Sequence, residues 1–176
     1  MRKQLFILRI SSLKLILAFG SCLLAFTSCS TNANLQGPGQ VYLQGEWRQD
    51  KEPLDAQLLN YTLYRFKFSC DSFYVVMQTY SKVNYGADTC MNRGQWTEYA
   101  KGNYEERNDT LRLRGFFCNA NYSLKDPGGC FRSGVYEDQF KTVKQSDSVI
   151  TLTSTSGVLT SKLHLIKRTT CVPKPL

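Results

Sequence analysis

The side chains in this sequence that could do chemistry are mostly cysteines. There are 7 of them, at positions 22, 29, 70, 90, 118, 130 and 171, against a single histidine, His164. Thiolate and imidazole together are zinc ligands, but structural zinc sites bring them in closely spaced pairs. No Cys-x-x-Cys occurs, and one imidazole does not complete a tetrahedral set, so no metal is expected. Nucleophilic catalysis needs a base beside the nucleophile. His164 stands between Leu163 and Leu165 in strand-like text, so it should face away from both and sit at the surface. Adjacent carboxylates occur at Glu105-Glu106 and Glu137-Asp138. Neighbours on a strand point to opposite faces, so neither pair reads as an acid–base couple. Pro127-Gly128-Gly129 reads as a turn and not as a phosphate loop. Neither catalysis nor a cofactor is expected.

The N-terminus must be set apart before any fold reasoning. Arg2, Lys3, Arg9 and Lys14 make a basic start, and residues 15–28 (LILAFGSCLLAFTS) carry no charge. Crossing a hydrocarbon core of ~30 Å takes about 20 apolar residues as a helix, so this stretch fits a secretory signal better than a membrane span. It ends in Phe26-Thr27-Ser28-Cys29, followed by Ser30-Thr31-Asn32. Those residues resemble the lipobox of bacterial lipoproteins, in which a large apolar residue stands three before the cysteine and small residues lie between. The resemblance implies cleavage after residue 28 and a diacylglyceride on the Cys29 thiol. Cys22 would leave with the signal. Ser30 resembles the residue that follows the lipid cysteine in outer-membrane lipoproteins. Residues 30–40 also lack the acidic run that marks some surface-exported lipoproteins. The expected location is therefore the periplasmic face of the outer membrane, and the expected partner is the membrane itself, through the anchor.

Removing residues 1–28 takes 4 of the 22 Lys+Arg and none of the 14 Asp+Glu, so 18 bases face 14 acids and the net charge falls from +8 to +4. Those bases are scattered, with no run of five. Charge of that size speaks for solubility and against nucleic-acid binding.

Export also places the remaining cysteines in an oxidising compartment. Five of them (Cys70, Cys90, Cys118, Cys130 and Cys171) allow at most two bridges and leave one thiol over. Cys118 and Cys130 bracket a turn-rich segment and are the favoured pair, with Cys70–Cys90 second. Cys171 is the alternative partner for either, pinning the tail.

Residues 29–40 are polar, with Gly37-Pro38-Gly39, and read as a lipidated tether. Residues 41–170 are then strand-like almost throughout, and residues 171–176 form a tail. Only residues 53–60 suggest even a helical turn. The clearest strand is 61–70, where Thr62, Tyr64, Phe66, Phe68 and Cys70 alternate with Tyr61, Leu63, Arg65, Lys67 and Ser69. Further strands are expected at 45–48, 73–80, 95–100, 104–107, 110–117, 136–143, 149–153 and 162–166, divided by turn signals such as Asp71-Ser72, Asn108-Asp109 and Ser146-Asp147. Eight or nine short strands with no βαβ alternation point to an antiparallel barrel, closed or nearly so, or to a sandwich.

Gly45-Glu46-Trp47 sits on the first of these strands. A Gly-x-Trp ahead of an eight-stranded meander resembles the lipocalins, and the layout from lipobox to terminal strand resembles the small lipocalin-like lipoproteins of Gram-negative envelopes. The resemblance implies an all-β, antiparallel up-and-down barrel of about eight strands, of lipocalin or calycin type. It also implies that Trp47 closes one end under a basic residue of the last strand, Arg168 or, second, Lys167. It implies a small apolar ligand inside, for which Tyr64, Phe66, Phe68 and Trp96 are the candidate lining. The alternative is that the same aromatic face packs the barrel solid, the chain then being a scaffold or interaction protein; its 10 tyrosines, as amphipathic contact surface, suit either reading. Some lipoproteins of this look carry the label fumarate hydratase. That activity needs a cysteine-held iron–sulfur cluster or a far larger helical enzyme, and neither can be read here.

Overall fold

The computed structural model describes residues 35–83, 88–157 and 160–175. Cys29 and the expected signal, residues 1–28, lie outside them. Among the described residues no helix is long and apolar enough to cross a membrane.

Eight strands form a closed antiparallel barrel in simple sequence order: β1 (Gly45–Gln49), β2 (Asn60–Ser69), β3 (Ser72–Ser81), β4 (Gln95–Arg107), β5 (Thr110–Cys118), β6 (Val135–Lys144), β7 (Val149–Ser154) and β8 (Thr160–Arg168). The pairing of β8 back onto β1 leaves no open edge. Of the two architectures the alternation allowed, it is the barrel and not the sandwich, and it has the up-and-down order that the lipocalin resemblance implied, with one change. Residues 95–100 and 104–107 are a single strand, because β4 runs unbroken through Gly102. There it faces Gly115, and a Cβ at position 102 would lie 2.1 Å from the Arg114 carbonyl oxygen. The expected helical turn shrinks to a 3-10 turn at Asp55–Gln57, and a short helix, α1 (Asp88–Met91), follows β3.

Connections differ sharply between the two ends. At one end β2 meets β3 through Cys70-Asp71. There, too, β4 meets β5 through Asn108 and Asp109, both with positive φ (51° and 58°), the conformation tight hairpins require. A 3-10 turn at Val41–Leu43 lies across this end and buries Leu43 completely. At the other end the links from β1 to β2, β3 to β4 and β5 to β6 are long, and they form the mouth.

Residues 36–40, expected within a flexible tether, belong to the folded unit. Gln36 Nε2 donates to Ser72 Oγ at 2.6 Å, and the Gly37 amide donates to Asp71 Oδ2 at 2.9 Å. The tail is docked as well: Cys171 is bonded to Cys70, and the Gln36 amide donates to the Lys174 carbonyl at 2.9 Å.

The disulfides correct the expected pairing. Cys70 joins Cys171 and Cys90 joins Cys130, which leaves Cys118 free and buried. Cys70 cannot reach Cys90 because β3 lies between them. Ten residues of strand span ~33 Å, whereas bonded cysteines need Cα atoms within ~7 Å. Cys118 and Cys130 both lie at the mouth end. However, the chain after β5 first folds back on itself, with a bridge between Cys118 and Leu124, and only then carries Cys130 to α1.

Candidate functional site

Every inward position in the closed half of the barrel is filled. Trp47, Phe66, Phe68, Phe73, Val75, Leu111, Ile150 and Leu163 have no accessible surface. Tyr64, Phe66 and Phe68 stack in a column along β2, with ring centroids 5.6 and 5.5 Å apart, and Phe140 meets Phe66 edge-on at 6.2 Å. A void able to admit water would leave accessible area on the side chains around it. None remains on Phe66 or Phe68, so these two expected lining residues are packed core.

The closed end is built around Trp47. Its Nε1 donates to the Leu43 carbonyl at 2.7 Å, and the Arg168 guanidinium carbon lies 5.5 Å from the centre of its ring. A β-bulge aims the arginine: Trp47 pairs with Leu165 and Glu46 with Lys167, leaving Ile166 as the extra residue. Arg168 then faces Gly45 and donates to the carbonyls of Tyr42 (2.6 Å), Gln44 (3.3 Å) and Asp147. Gly45 is obligatory here. Its φ is +139°, and a Cβ would lie 2.3 Å from the Lys167 carbonyl. Beside it Gln44, 3% exposed, pairs its amide with the Cys70 backbone in both directions, accepting at 2.7 Å and donating at 2.8 Å. The side chain thus supplies a strand-like partner where the chain turns. Tyr104 completes the cluster, and burial pushes its hydroxyl up to about 12. Of the two expected basic residues, Arg168 covers Trp47.

Polar groups collect at the mouth. Glu98 sits on the inward face of β4 between Trp96 and Ala100 and is 5% exposed. Arg132 reaches it from the β5–β6 loop. Nη2 donates to Oε2 at 2.8 Å, Nε to Oε1 at 3.0 Å, and the Arg132 amide to Oε1 at 3.1 Å. Burial opposes the charge on Glu98, but the bonds and charge of Arg132 outweigh it and hold the carboxyl below the usual range. The guanidinium also lies 4.8 Å from the centre of the Phe117 ring. Next to it Phe131 stacks on Trp96 at 5.0 Å and 7°. Thus the loop stoppers the barrel with an ion pair and a ring, and Cys90–Cys130 ties its stem to α1. A shallow cleft of about 430 Å³ remains between Thr62, Thr79, Trp96, Glu98, Phe131 and Arg132. Deeper in, Tyr136 donates to Asp138 at 3.4 Å, and burial raises the Asp138 carboxyl.

Of the candidate lining, only Trp96 borders this cleft, while Tyr64 is half-buried against the core. The adjacent carboxylates diverge as expected. Glu105 pairs outside with Arg107 at 3.2 Å, while Glu106 accepts from Tyr42 at 2.5 Å. Glu137 pairs outside with Arg114 at 3.0 Å, while Asp138 points in. His164 lies 3.9 Å from Asp50 on the surface. Among the described residues no cluster of three metal-ligating side chains occurs. Glu98, Arg132 and Gln44 went unread in the sequence. The signal for Glu98 was present, since the carboxylate shares the strand face of Trp96 and Ala100. Arg132 and Gln44 carried none.

Compared with known proteins, the chain matches no family model, no curated protein and no solved structure.

Proposed function

We propose that this chain is a lipid-anchored protein of the bacterial envelope, tethered through Cys29 to the periplasmic face of the outer membrane. There it works without catalysis as an interaction scaffold. The observation that carries the reading is the filled interior: Phe66 and Phe68 keep no accessible surface, so an apolar ligand has no chamber between them. A closed, doubly disulfide-tied barrel is instead a rigid carrier of outer surfaces. One such surface gathers tyrosines, with Tyr122 of the β5–β6 loop packed edge-on to Tyr74 at 4.9 Å and to Tyr99 at 6.5 Å. Rings with a polar tip suit contact with another macromolecule.

Titrating the folded domain, without its lipid, with a fluorescent fatty acid tests the proposal. No saturable binding is expected, whereas stoichiometric binding at micromolar affinity or tighter overturns it. The mouth cleft favours a second reading, a small amphipathic ligand with a ring against Trp96 and Phe131 and a polar group at Glu98 and Arg132. Its volume falls within the range of small-molecule sites. On that reading the dye binds the parent domain and is lost in Trp96→Ala.

A further inference from the structure

We infer that the barrel stands on the membrane with its closed end down, presenting the closed end to the lipid surface and the mouth to the aqueous space. This rests on the anchor at Cys29 proposed above, and the experiment below separates the two.

Reach sets the orientation. The chain joins the barrel at Gln36, whose side chain and amide are held by Ser72, Ser69 and Lys174, and Gly37 is held by Asp71. All of these contacts lie at the turn between β2 and β3, on the closed end. Cys29 is seven residues earlier, and seven residues extend to at most ~25 Å. The mouth lies the length of a barrel strand away. β2 and β3 have 10 residues each, which is ~33 Å along the strand and ~25 Å along the axis at the usual tilt. A tether would have to run fully stretched up the barrel wall, with nothing left to enter the bilayer, before the mouth could touch lipid. Cys70–Cys171 fixes the tail at the same end.

The closed end also exposes apolar and charged side chains. Val41 is 84% exposed on the covering 3-10 turn and Val172 is 73% exposed on the docked tail. Lys167 and Lys174 are exposed with them. Asp109 and Asp147 are exposed at the same end, so its charge is mixed. The mouth exposes apolar side chains too, Leu54 and Leu59 among them. Exposure alone therefore does not decide the orientation; the tether does.

The consequence is functional. The Trp96–Phe131 stack, the Glu98–Arg132 latch and the cleft beside them face away from the bilayer, so whatever meets them comes from solution and not from the lipid phase.

The test uses the full lipidated chain in phosphatidylethanolamine/phosphatidylglycerol vesicles that carry an acceptor dye on the headgroup. p-Azidophenylalanine is placed at Val41 or at Leu54 and coupled to a donor dye, which leaves the cysteines untouched. Energy transfer should be several-fold greater from Val41 than from Leu54. A flexible insert of 20 residues after Asn32 should level the two. A chain that floats with the vesicles but transfers equally from both sites, or better from Leu54, overturns the orientation while leaving the anchor intact. A chain that does not float, or whose Cys29→Ser variant floats equally well, overturns the anchor and the orientation with it.

Discussion

Phe66→Ala separates a solid barrel from a hollow one. In the solid structure the ring is wholly buried, stacked between Tyr64 and Phe68 and met edge-on by Phe140. Its strand neighbours across the ladder are Val75 and Trp47, both also without accessible surface. Nothing nearby is free to collapse into the space, so the loss combines transfer and cavity terms at about 3–5 kcal/mol. Against a typical total of 5–15 kcal/mol, that is a large fraction of the stability. Urea unfolding with the disulfides intact, followed by tryptophan fluorescence, should show the midpoint falling with the slope unchanged. The dry hole should also take up a benzene-sized guest that the parent protein excludes. A cost below about 1 kcal/mol, with the guest bound equally by both proteins, would mean a void was there from the start, and the argument from burial would fail.

Other expectations follow from the two ends. Gln44→Leu should cost about 1–3 kcal/mol, because the buried Cys70 amide loses its acceptor; hydrogen exchange at Cys70 should accelerate in step. For Glu98 the folded carboxyl titrates lower than the unfolded one. Its stabilisation is thus present above the unfolded value of about 4.3 and lost as pH falls through the folded one. Asp138, raised by burial, acts in the opposite sense. Melting temperatures between pH 2 and 7 should therefore fall more steeply on acidification for the parent than for Glu98→Gln, and parallel curves would contradict the latch. A domain starting after Cys29 should show no thiol to Ellman's reagent when native and one when denatured, mapping to Cys118; two or more would overturn the pairing. The Cys90–Cys130 bridge spans 40 residues, so replacing both cysteines by serine should cost up to about 4 kcal/mol by chain entropy.

What could be read in the sequence was whatever repeats at the period of a strand. The face shared by Thr62, Tyr64, Phe66 and Phe68 marked β2 and its inward side, and Asn108-Asp109 marked the turn ahead of β5. Gly45 and Trp47 were visible as a motif, but why glycine is needed was not. That reason lies in the Lys167 carbonyl, more than 120 residues away in sequence, brought close by ring closure. The disulfides could have been read further. Once β3 is accepted as a strand, its length separates Cys70 from Cys90, and the end of β8 returns Cys171 to the Cys70 end. Arg132 stayed hidden because a loop has no period, and its role appears only when the loop crosses the mouth to meet Glu98. Whether the aromatic column encloses a ligand or fills the barrel was undecidable from alternation, which reports which side faces in and not how full the inside is.

Xenon decides that last point most directly, because it occupies apolar voids and ignores packed core. In a crystal of the domain under xenon pressure, the space bounded by Trp47, Phe66, Phe68 and Phe140 should hold no xenon. A well-occupied atom on the barrel axis between those rings would contradict the filled interior on which the scaffold reading stands.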